Sequence, residues 1–360
     1  MIRQRLWGTA APSPEELVRW FGAVQAQDYA GAKWGVGQRV RDGRDALLED
    51  ALQAGRILRT HVLRPTWHFV LPEDIRWLVT LSAPRVRAQL GTYDRKLAID
   101  ARTLGRSQEV IAAALEGGKQ RTRTELGHAL AQAGIDIEPG QRLGHLLMHA
   151  ELSLLVCSGA RRGKHATYAL LDERAAATAV GLLPTREEAL AALTLRYFQS
   201  HGPALVQDYA WWSGLTISDA KLGIASVARK LCSVKLEEQT YWSCASSPRA
   251  TSRQPRVVLL PNFDEYVVAY RDHEPSFRPS VWQQARAQAD VLSAHFVVLD
   301  GRVVGRFQRR ISGATTREKA SATLLLTLFC KLTAGELRAL HESAKALARN
   351  WSMPVSVLPF

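Results

Sequence analysis

The chain has 360 residues, and 46% of them are hydrophobic, which is ample for a large buried core and favours more than one compact unit. The formal net charge of +13 favours a polyanionic partner. Many of the basic residues are arginines, which favours nucleic acid over an anionic membrane surface because guanidinium groups bind phosphate oxygens bidentately. The alternative is a merely basic cytosolic protein. The four cysteines, which are Cys157, Cys232, Cys244 and Cys330, form no CxxC pair and no zinc spacing, so we expect reduced thiols, no metal site and no cofactor.

No stretch of the sequence predicts export or membrane insertion. The first residues, MIRQRLWGTA, lack the apolar core of a signal peptide. The most apolar run, ATLLLTLFC (322–330), stops at Lys331, is too short to span a bilayer, and predicts a core helix. We therefore expect a cytoplasmic protein without a membrane partner.

The first predicted helix has clear start signals. Ser13 is a suitable N-cap, Pro14 fits the first helical position, and Glu16 lies three residues after the cap. Apolar residues at Leu17, Trp20, Phe21 and Val24 then follow helical spacing.

A second helical run and a hairpin follow. The helical run covers about 44–54, and ILRTHVLRPTWHFVL (57–71) contains two β-rich runs broken at Arg64-Pro65. Helices followed by a β-hairpin predict a winged helix over residues 1–105.

The same order of elements returns in residues 106–184. Helices are predicted over 107–118, 122–133 and 141–151, and Thr122 with Glu125 forms a capping box. LSLLVCSGARRGKHATYALL (152–171) then makes two β segments around a basic loop. This pattern predicts a second winged helix.

Three basic residues occupy the tip of that second loop. Arg161, Arg162 and Lys164 have no acidic neighbours in the loop, so we predict that they contact DNA phosphates. The alternative is a merely solvated loop.

A third copy is predicted over residues 185–248. It has a long amphipathic helix (186–202), a short helix that ends at Gly214, a third helix (216–230) and a hairpin-like run (231–245). The three copies share a pattern rather than obvious sequence identity.

The C-terminal region, 249–360, has a different pattern. Its predicted parts are a polar linker (246–256) at its start, strands at VVLLP (257–261) and YVVAY (266–270), a hairpin turning at Asp300-Gly301, and a helical tail (about 317–349). The predicted fold class is therefore α+β, with three tandem winged-helix domains plus a C-terminal β-rich region.

Two glutamines, Gln25 and Gln27, lie one residue apart at the end of the first helical pattern. In a continued helix they would point roughly 200° apart, whereas in an extended segment residues i and i+2 face the same way and the amides converge. Amides offer donors and acceptors but take no full proton in the ground state. Such a pair suits a reaction with a good leaving group, such as hydrolysis of the N-glycosidic bond of a cationic alkylated purine. The alternative is that both side chains cap a helix end and bind nearby backbone.

Several motifs in a fixed order carry a resemblance over essentially the whole chain. They are VQAQDY (24–29), RTHVLRPTWHFV (59–70), the three winged-helix patterns, and LLPNFDEYVVAYRDH (259–273) before VVLDGRVVGRF. With them the chain resembles the bacterial winged-helix DNA glycosylases, the AlkZ- and YcaQ-like family. The resemblance implies hydrolysis of N7-alkylated purines in double-stranded DNA and unhooking of interstrand crosslinks made by genotoxic natural products, in base excision repair or self-resistance. No lysine accompanies the motif, so we expect a monofunctional enzyme.

The family's catalytic signature is two glutamines around a hydrophobic residue, or a glutamine and an aspartate in the YcaQ-like branch. Gln25 and Gln27 match the first form, and the resemblance implies that they position the hydrolytic water. Ala26 is small for the hydrophobic position, which leaves the specific lesion open. Asp28 is a candidate carboxylate for stabilising the sugar cation, against a helix end or an arginine pair.

Further candidate residues lie around the glutamines. We predict that His61, Arg64 and His68 line the same pocket or touch the phosphate that flanks the lesion, and that Tyr29 borders the lesion. For each histidine the alternative is a hydrogen-bonded structural residue.

Two charged sets lie in the C-terminal region. A hairpin that carries arginines reaches a minor groove in some DNA-binding proteins, and here the candidates are Arg302, Arg306, Arg309 and Arg310. An internal salt-bridge set is predicted from Asp264, Glu265, Arg271 and Asp272, and the alternative is a catalytic role for these residues.

The sequence therefore predicts a monomeric DNA glycosylase whose partner is damaged double-stranded DNA. One alternative is a non-enzymatic winged-helix transcriptional regulator, although no segment predicts the dimer that spaced half-sites need. Another is a protein that sequesters a DNA-damaging natural product.

Overall fold

The structure, a computed structural model, describes residues 1–175, 183–245, 255–286, 291–312 and 320–359. Helices and mainly antiparallel sheets alternate along the chain, which confirms the predicted α+β class. Most of the predicted linker at 246–256 lies outside the described residues.

The N-terminal region combines helices with a small sheet. Its elements are α1 (Pro14–Phe21), β1 (Val24–Gln25), α2 (Tyr29–Gly37), α3 (Asp45–Gln53), β2 (Leu58–His61), β3 (Trp67–Val70) and α4 (Pro72–Lys96). The sheet is antiparallel with the order β1-β3-β2, so the central strand β3 pairs with the glutamine-bearing strand on one side and with β2 on the other.

Helix α1 starts as predicted but ends earlier than the apolar spacing indicated. The Ser13 hydroxyl accepts a hydrogen bond from the Glu16 N–H, which confirms the cap. The helix stops at Phe21 because Gly22 adopts φ = +86°, a conformation that favours glycine, while its N–H still donates to the Val18 carbonyl. This turn sends the chain into β1 and makes the glutamine segment extended.

The sequence patterns missed α2 and α4. Helix α2 contains three glycines, and α4 contains Pro84 inside its 25 residues, so local propensity argues against both. Tertiary packing stabilises α4, whose apolar side chains share one large hydrophobic cluster with the helices near residues 190–224. Helix α4 thus joins the N-terminal region to the later part of the chain.

The second region has the predicted order of helices and strands, but its first helix begins at Ala101, before the predicted boundary at residue 106. Its elements are α5 (Ala101–Leu115), β4 (Arg121–Thr122), α6 (Arg123–Gln132), α7 (Gly140–Leu152), β5 (Val156–Ser158), β6 (Thr167–Leu170) and α8 (Leu171–Arg174). The predicted capping box of Thr122 and Glu125 is present at the start of α6. A three-stranded sheet with the order β4-β6-β5 covers a separate apolar cluster.

The third region repeats helices followed by a hairpin. Its elements are α9 (Arg186–Ser200), α10 (Val206–Ser213), α11 (Ile217–Ser226), β7 (Leu231–Leu236) and β8 (Gln239–Cys244). Helix α10 ends at Gly214 as predicted, with φ = +68°. A Cβ at Gly214 would lie 2.0 Å from the Leu63 carbonyl oxygen, so α10 packs directly on the turn between β2 and β3.

The C-terminal region is built on a five-stranded sheet. Its elements are β9 (Val257–Leu260), α12 (Glu265–Val268), α13 (Pro279–Arg286), β10 (His295–Leu299), β11 (Arg302–Ser312), β12 (Ser321–Leu328), α14 (Ala334–Trp351) and β13 (Val355–Pro359). The strand order is β13-β12-β11-β10-β9. The predicted hairpin turn at Asp300-Gly301 is confirmed between β10 and β11.

Two predictions in this region are wrong. The run YVVAY forms the short helix α12 and no strand, because the Asp264 carboxylate accepts the Tyr266 N–H and caps a helical turn there. The run at 322–330 forms β12 and no core helix, because it pairs with strands on both sides and alternate residues face the core. The predicted helical tail is therefore correct only for α14, and residues 317–319 of that prediction lie outside the described residues.

Candidate active site

The two glutamines lie on an extended segment. Strand β1 pairs with β3 so that Gln25 lies opposite His68, and the Ala26 N–H continues the ladder by donating to the Trp67 carbonyl at 2.7 Å. The segment is thus extended through Ala26, as required for two side chains at i and i+2 to face the same way. Ala26 itself is fully buried, which suits its small side chain.

Both glutamine side chains bind nearby backbone through their oxygens. Gln25 Oε1 accepts the Gln27 N–H at 3.3 Å, and Gln27 Oε1 accepts the Trp67 N–H at 3.3 Å. Gln25 is buried while Gln27 is exposed, so the pair reaches from the interior to the surface. Each oxygen has a second lone pair and each amide two N–H donors, so backbone binding leaves capacity for a water molecule.

A row of polar side chains crosses the sheet beside Gln25. Gln25 and Thr60 both lie opposite His68, and directly opposite residues place their side chains on the same face. His68 is fully buried; its Nδ1 lies 3.0 Å from the Thr66 carbonyl oxygen, and its Nε2 has no hydrogen-bond partner among the described residues. Burial, with the nearby positive charge of Arg64, lowers the His68 pKa from 6.5 to about 3. The ring is therefore neutral near pH 7.

His61 lies on the other face of this sheet. It is opposite Trp67, which immediately precedes His68, so its side chain points away from the Gln25 row. Its Nδ1 makes a short contact with the buried Glu151 carboxylate, and its ring packs on Trp67 with centroids 4.3 Å apart. The structure thus places His68 beside Gln25 and separates His61 from it.

Arg59, which the sequence analysis did not select, holds the glutamine segment. Its Nε and Nη2 donate to the Ala26 carbonyl at 3.1 and 2.9 Å, and Nη2 also donates to the Gln27 carbonyl at 3.3 Å. The guanidinium also stacks over the Trp67 ring at 4.3 Å. A signal was present in the sequence, since Arg59 begins the RTHVLRPTWHFV motif.

Arg64 lies in the turn between β2 and β3. Its Nε and Nη2 atoms are buried without a hydrogen-bond partner in the part of the chain that the structure describes, and its guanidinium lies 5.7 Å from the Trp211 ring. Burial lowers its pKa, and the negative charge of Glu265 opposes that shift. Arg64 and His68 are therefore electrostatic neighbours of Glu265, as both of their pKa shifts include its charge.

Asp28 and Tyr29 begin helix α2. The Asp28 carboxylate accepts the Gly31 N–H at 3.0 Å and caps the helix, which agrees with the helix-end alternative. The Tyr29 hydroxyl donates to Glu49 at 2.9 Å, and the Arg161 guanidinium lies 4.3 Å above the Tyr29 ring. Tyr29 therefore connects the glutamine segment to the loop of the second region.

Glu265 is a buried carboxylate that sequence reasoning placed in a salt-bridge set. Its Oε1 accepts the Gln25 N–H at 2.6 Å, and its Oε2 accepts from Trp212 Nε1 at 3.0 Å and lies 3.2 Å from His201 Nε2. Burial alone raises the Glu265 pKa, but the His201 and Gln25 hydrogen bonds outweigh it and the net shift is downward. The carboxylate is therefore ionised in the core.

The salt-bridge set predicted around Glu265 is wrong, because its members bind other residues and not one another. Asp264 pairs instead with the buried Arg39, at 2.7 Å between Oδ1 and Nη2. The Arg271 N–H donates to Asp208, and Asp272 caps the backbone at Glu274. The motif LLPNFDEYVVAYRDH contains these carboxylates, but the partners of Asp264 and Glu265 are distant in sequence.

The basic loop of the second region has an acidic neighbour, contrary to the prediction. Arg162 forms a short ion pair with Glu125 of α6, which holds the Glu125 pKa near 2. The loop folds back on the N-terminal region, because Gln53 Nε2 donates to the Arg161 carbonyl at 3.3 Å. Arg161 stacks on Tyr29, while Lys164 is exposed.

The C-terminal arginines lie on a strand inside a sheet. Strand β11 pairs with β10 over residues 302–307 and with β12 over residues 305–312, so Arg309 and Arg310 lie on a part of β11 that pairs only with β12 among the described strands. Arg302 binds the carbonyls of Pro275 and Phe277, and Arg309 lies 5.2 Å from the Trp351 ring. Arg310 is exposed and Arg306 is partly buried.

Two kinds of feature are missing from the described ranges. They contain no group of three or more His, Cys, Asp or Glu residues arranged to hold a metal ion. Over the same ranges, no helix is long and apolar enough to cross a membrane.

A family model and a solved structure that resemble this chain both carry the name AlkZ. A family model described as "DNA glycosylase AlkZ-like" matches residues 18–350. Among solved structures, the Streptomyces sahachiroi DNA glycosylase AlkZ has a similar fold, with a TM-score of 0.78 at 21% sequence identity over 99% of this chain and 97% of that one. No curated protein sequence matches this chain.

Proposed function

The chain belongs to the AlkZ-like DNA glycosylases and is therefore a hydrolase of N-glycosyl bonds that acts on DNA. From this premise we propose that it releases N7-alkylated purines from duplex DNA, with Gln25 and Gln27 holding the attacking water. Interstrand crosslinks joined through purine N7 are the second substrate class that we propose, because they carry the same cationic leaving group.

The observation that carries this proposal is the extended Gln25–Gln27 segment. Both amides are fixed by backbone donors, and the pair runs from a buried position to an exposed one. A water bound between them would have its orientation set before reaction, which is the main contribution available to uncharged side chains.

The chemistry of the leaving group fits the absence of a titrating group at this pair. An N7-alkylpurine is cationic, so the electrons of the C1′–N9 bond neutralise it as it departs. The water oxygen bonds to C1′, and its proton passes to solvent. The amides orient the water without taking that proton, and no acid has to protonate the purine.

Tyr29 and Arg161 offer a surface for the DNA beside the exposed Gln27. We propose that these residues, with Lys164 and the exposed Arg310, contact phosphates around the lesion, while His68 and Arg64 support the site from the buried side. We also propose that residues 1–105, 106–184 and 185–248 act as three winged-helix units, with 249–360 as the β-rich fourth.

The test is base release from defined duplexes. Wild-type protein incubated with DNA that contains N7-methylguanine should release the free base, detected by mass spectrometry, and leave an alkali-labile abasic site. The same sequence without the lesion is the matched control. Failure on both this duplex and an N7-crosslinked duplex, with tight binding to undamaged DNA, would contradict the proposal and favour a DNA-binding regulator.

A further inference from the structure

The glutamine segment is fixed by a chain of hydrogen bonds that begins at Glu265. The Glu265 carboxylate accepts the Gln25 N–H at 2.6 Å, Gln25 Oε1 accepts the Gln27 N–H, and Gln27 Oε1 accepts the Trp67 N–H. The first bond holds the Gln25 backbone, and the other two hold the side-chain amides of Gln25 and Gln27. The Glu265 carboxylate therefore holds one end of the glutamine segment.

The carboxylate itself has little freedom to move. It is 3% exposed, and its second oxygen is held by the indole N–H of Trp212 and by His201. His201 is in turn held by Ser200, whose hydroxyl lies 2.8 Å from His201 Nδ1. A buried charge persists only when it is hydrogen-bonded in this way, so the arrangement is costly to disturb.

The hydrogen bond from the Gln25 N–H to the Glu265 carboxylate is of an unusually strong kind for the end of a strand. A backbone N–H that donates to an ionised carboxylate makes a shorter and stronger bond than one that donates to a neutral oxygen. Strand β1 has only two residues and is an edge strand of the described sheet, so its own ladder holds it weakly. Glu265 supplies the missing attachment from a residue 240 positions later.

We propose that Glu265 is a positioning residue for base release, acting through the Gln25 backbone to fix both amides at the distance and angle the attacking water needs. This inference rests on the proposed function of the two glutamines. Glu265 lies behind the strand and does not touch the substrate, so its loss should slow the chemical step and leave DNA binding intact.

The experiment compares substitutions at Glu265 with one at the neighbouring buried carboxylate. Glu265→Ala removes the acceptor of the Gln25 N–H, and Glu265→Gln keeps one acceptor oxygen without the charge. Asp264→Asn is the control, because Asp264 is equally buried but pairs with Arg39 and makes no bond to the glutamine segment. Single-turnover release of N7-methylguanine, affinity for an abasic-analogue duplex, and Tm are measured for each full-length variant.

The expected result separates positioning from folding. Glu265→Ala should lower the single-turnover rate about tenfold or more with affinity within about twofold of wild type, and Glu265→Gln should recover part of the rate. The amide proton of Gln25 should also lose its downfield NMR shift in Glu265→Ala. Asp264→Asn should lower Tm and keep the rate of the folded protein.

Two outcomes would overturn the inference. One is a wild-type rate in either folded Glu265 variant, and the other is an equal loss of rate in Asp264→Asn. Failure of the proposed function would look different, because either wild type would release no N7-methylguanine or Gln25→Ala would keep the wild-type rate whatever happens at Glu265.

Discussion

At the scale of single residues, the site combines neutral side chains with one fixed charge. The amides of Gln25 and Gln27 do not titrate, and His68 beside Gln25 is kept neutral by burial. Glu265 stays ionised because three groups hydrogen-bond to it. The groups at the centre of the site therefore keep the same charge across the neutral pH range.

The neutral state of His68 predicts an acid-sensitive fold. In the unfolded chain His68 binds a proton below its usual pKa of 6.5, whereas in the folded chain it does so only near pH 3. Stability falls as pH falls, so this residue should remove about 1.4 kcal/mol of unfolding free energy per pH unit between those values. Urea titrations at pH 6 and pH 4 should show a smaller loss in His68→Gln than in wild type.

The contribution of His68 can be separated from that of a second histidine, His295, which is partly buried. Burial also lowers the pKa of His295, to about 4, so wild type carries a similar slope from that residue. His295→Gln is therefore the comparison variant, and a His68→Gln slope equal to that of wild type would show that His68 is protonated in the folded protein.

At the scale of elements, two short features decide where the glutamines point. Gly22 ends α1 and lets the chain become extended, and Asp28 begins α2 directly after the pair. The glutamines thus occupy a seven-residue link between two helices, and this link pairs with β3 along one side. Capping at each end limits how far this link can shift.

Substitutions at Asp28 distinguish a cap from a catalytic carboxylate. Asparagine is also a good N-cap, so Asp28→Asn should keep both stability and the rate of base release, whereas Asp28→Ala should cost about 1 kcal/mol of unfolding free energy. Chemical denaturation and single-turnover release measure the two effects. Loss of release in a stable Asp28→Asn protein would instead assign the charge a direct role.

The elements also show what local sequence can and cannot predict. Caps such as Ser13, Thr122 and Gly214 were predictable because their chemistry acts within three or four residues. The strand β12 was mistaken for a helix because Leu325 lies among the polar residues of the outer face and makes a continuous run of three leucines, which hides the two-residue period. The partners of Gln25 and Asp264 were not predictable, because they depend on contacts more than 200 residues apart in sequence.

At the scale of the whole molecule, the site is assembled from separate regions of the chain. The N-terminal region supplies the glutamines, the second region supplies the loop of Arg161, and the C-terminal region supplies Glu265. The third region contributes Trp212 and His201, which hold that carboxylate. The net charge of +13 gives the assembly a long-range attraction for DNA.

The basic residues Lys164 and Arg162 in the loop of the second region should contribute unequally to the attraction for DNA. Lys164 is exposed, whereas Glu125 offsets the charge of Arg162. If Lys164 contacts a phosphate, Lys164→Ala should reduce the slope of log affinity against log salt by about 0.9, and Arg162→Ala should reduce it less. Fluorescence anisotropy at several salt concentrations measures the slopes.

A basic residue outside the loop provides the control for this measurement. Lys345 is exposed on α14 and pairs with Glu342. A slope unchanged in Lys164→Ala, or reduced equally in Lys345→Ala, would mean that the attraction is spread over the surface and does not depend on this loop.

The measurement that tests the central claim most directly is single-turnover release of N7-methylguanine by wild type, Gln25→Ala and Gln27→Ala, with affinity for the same duplex measured in parallel. We predict that release falls at least about a hundredfold in both variants while affinity changes little, since removing a group that orients the reacting water affects the chemical step. Release at the wild-type rate in either folded variant would contradict the account and show that the water is held elsewhere.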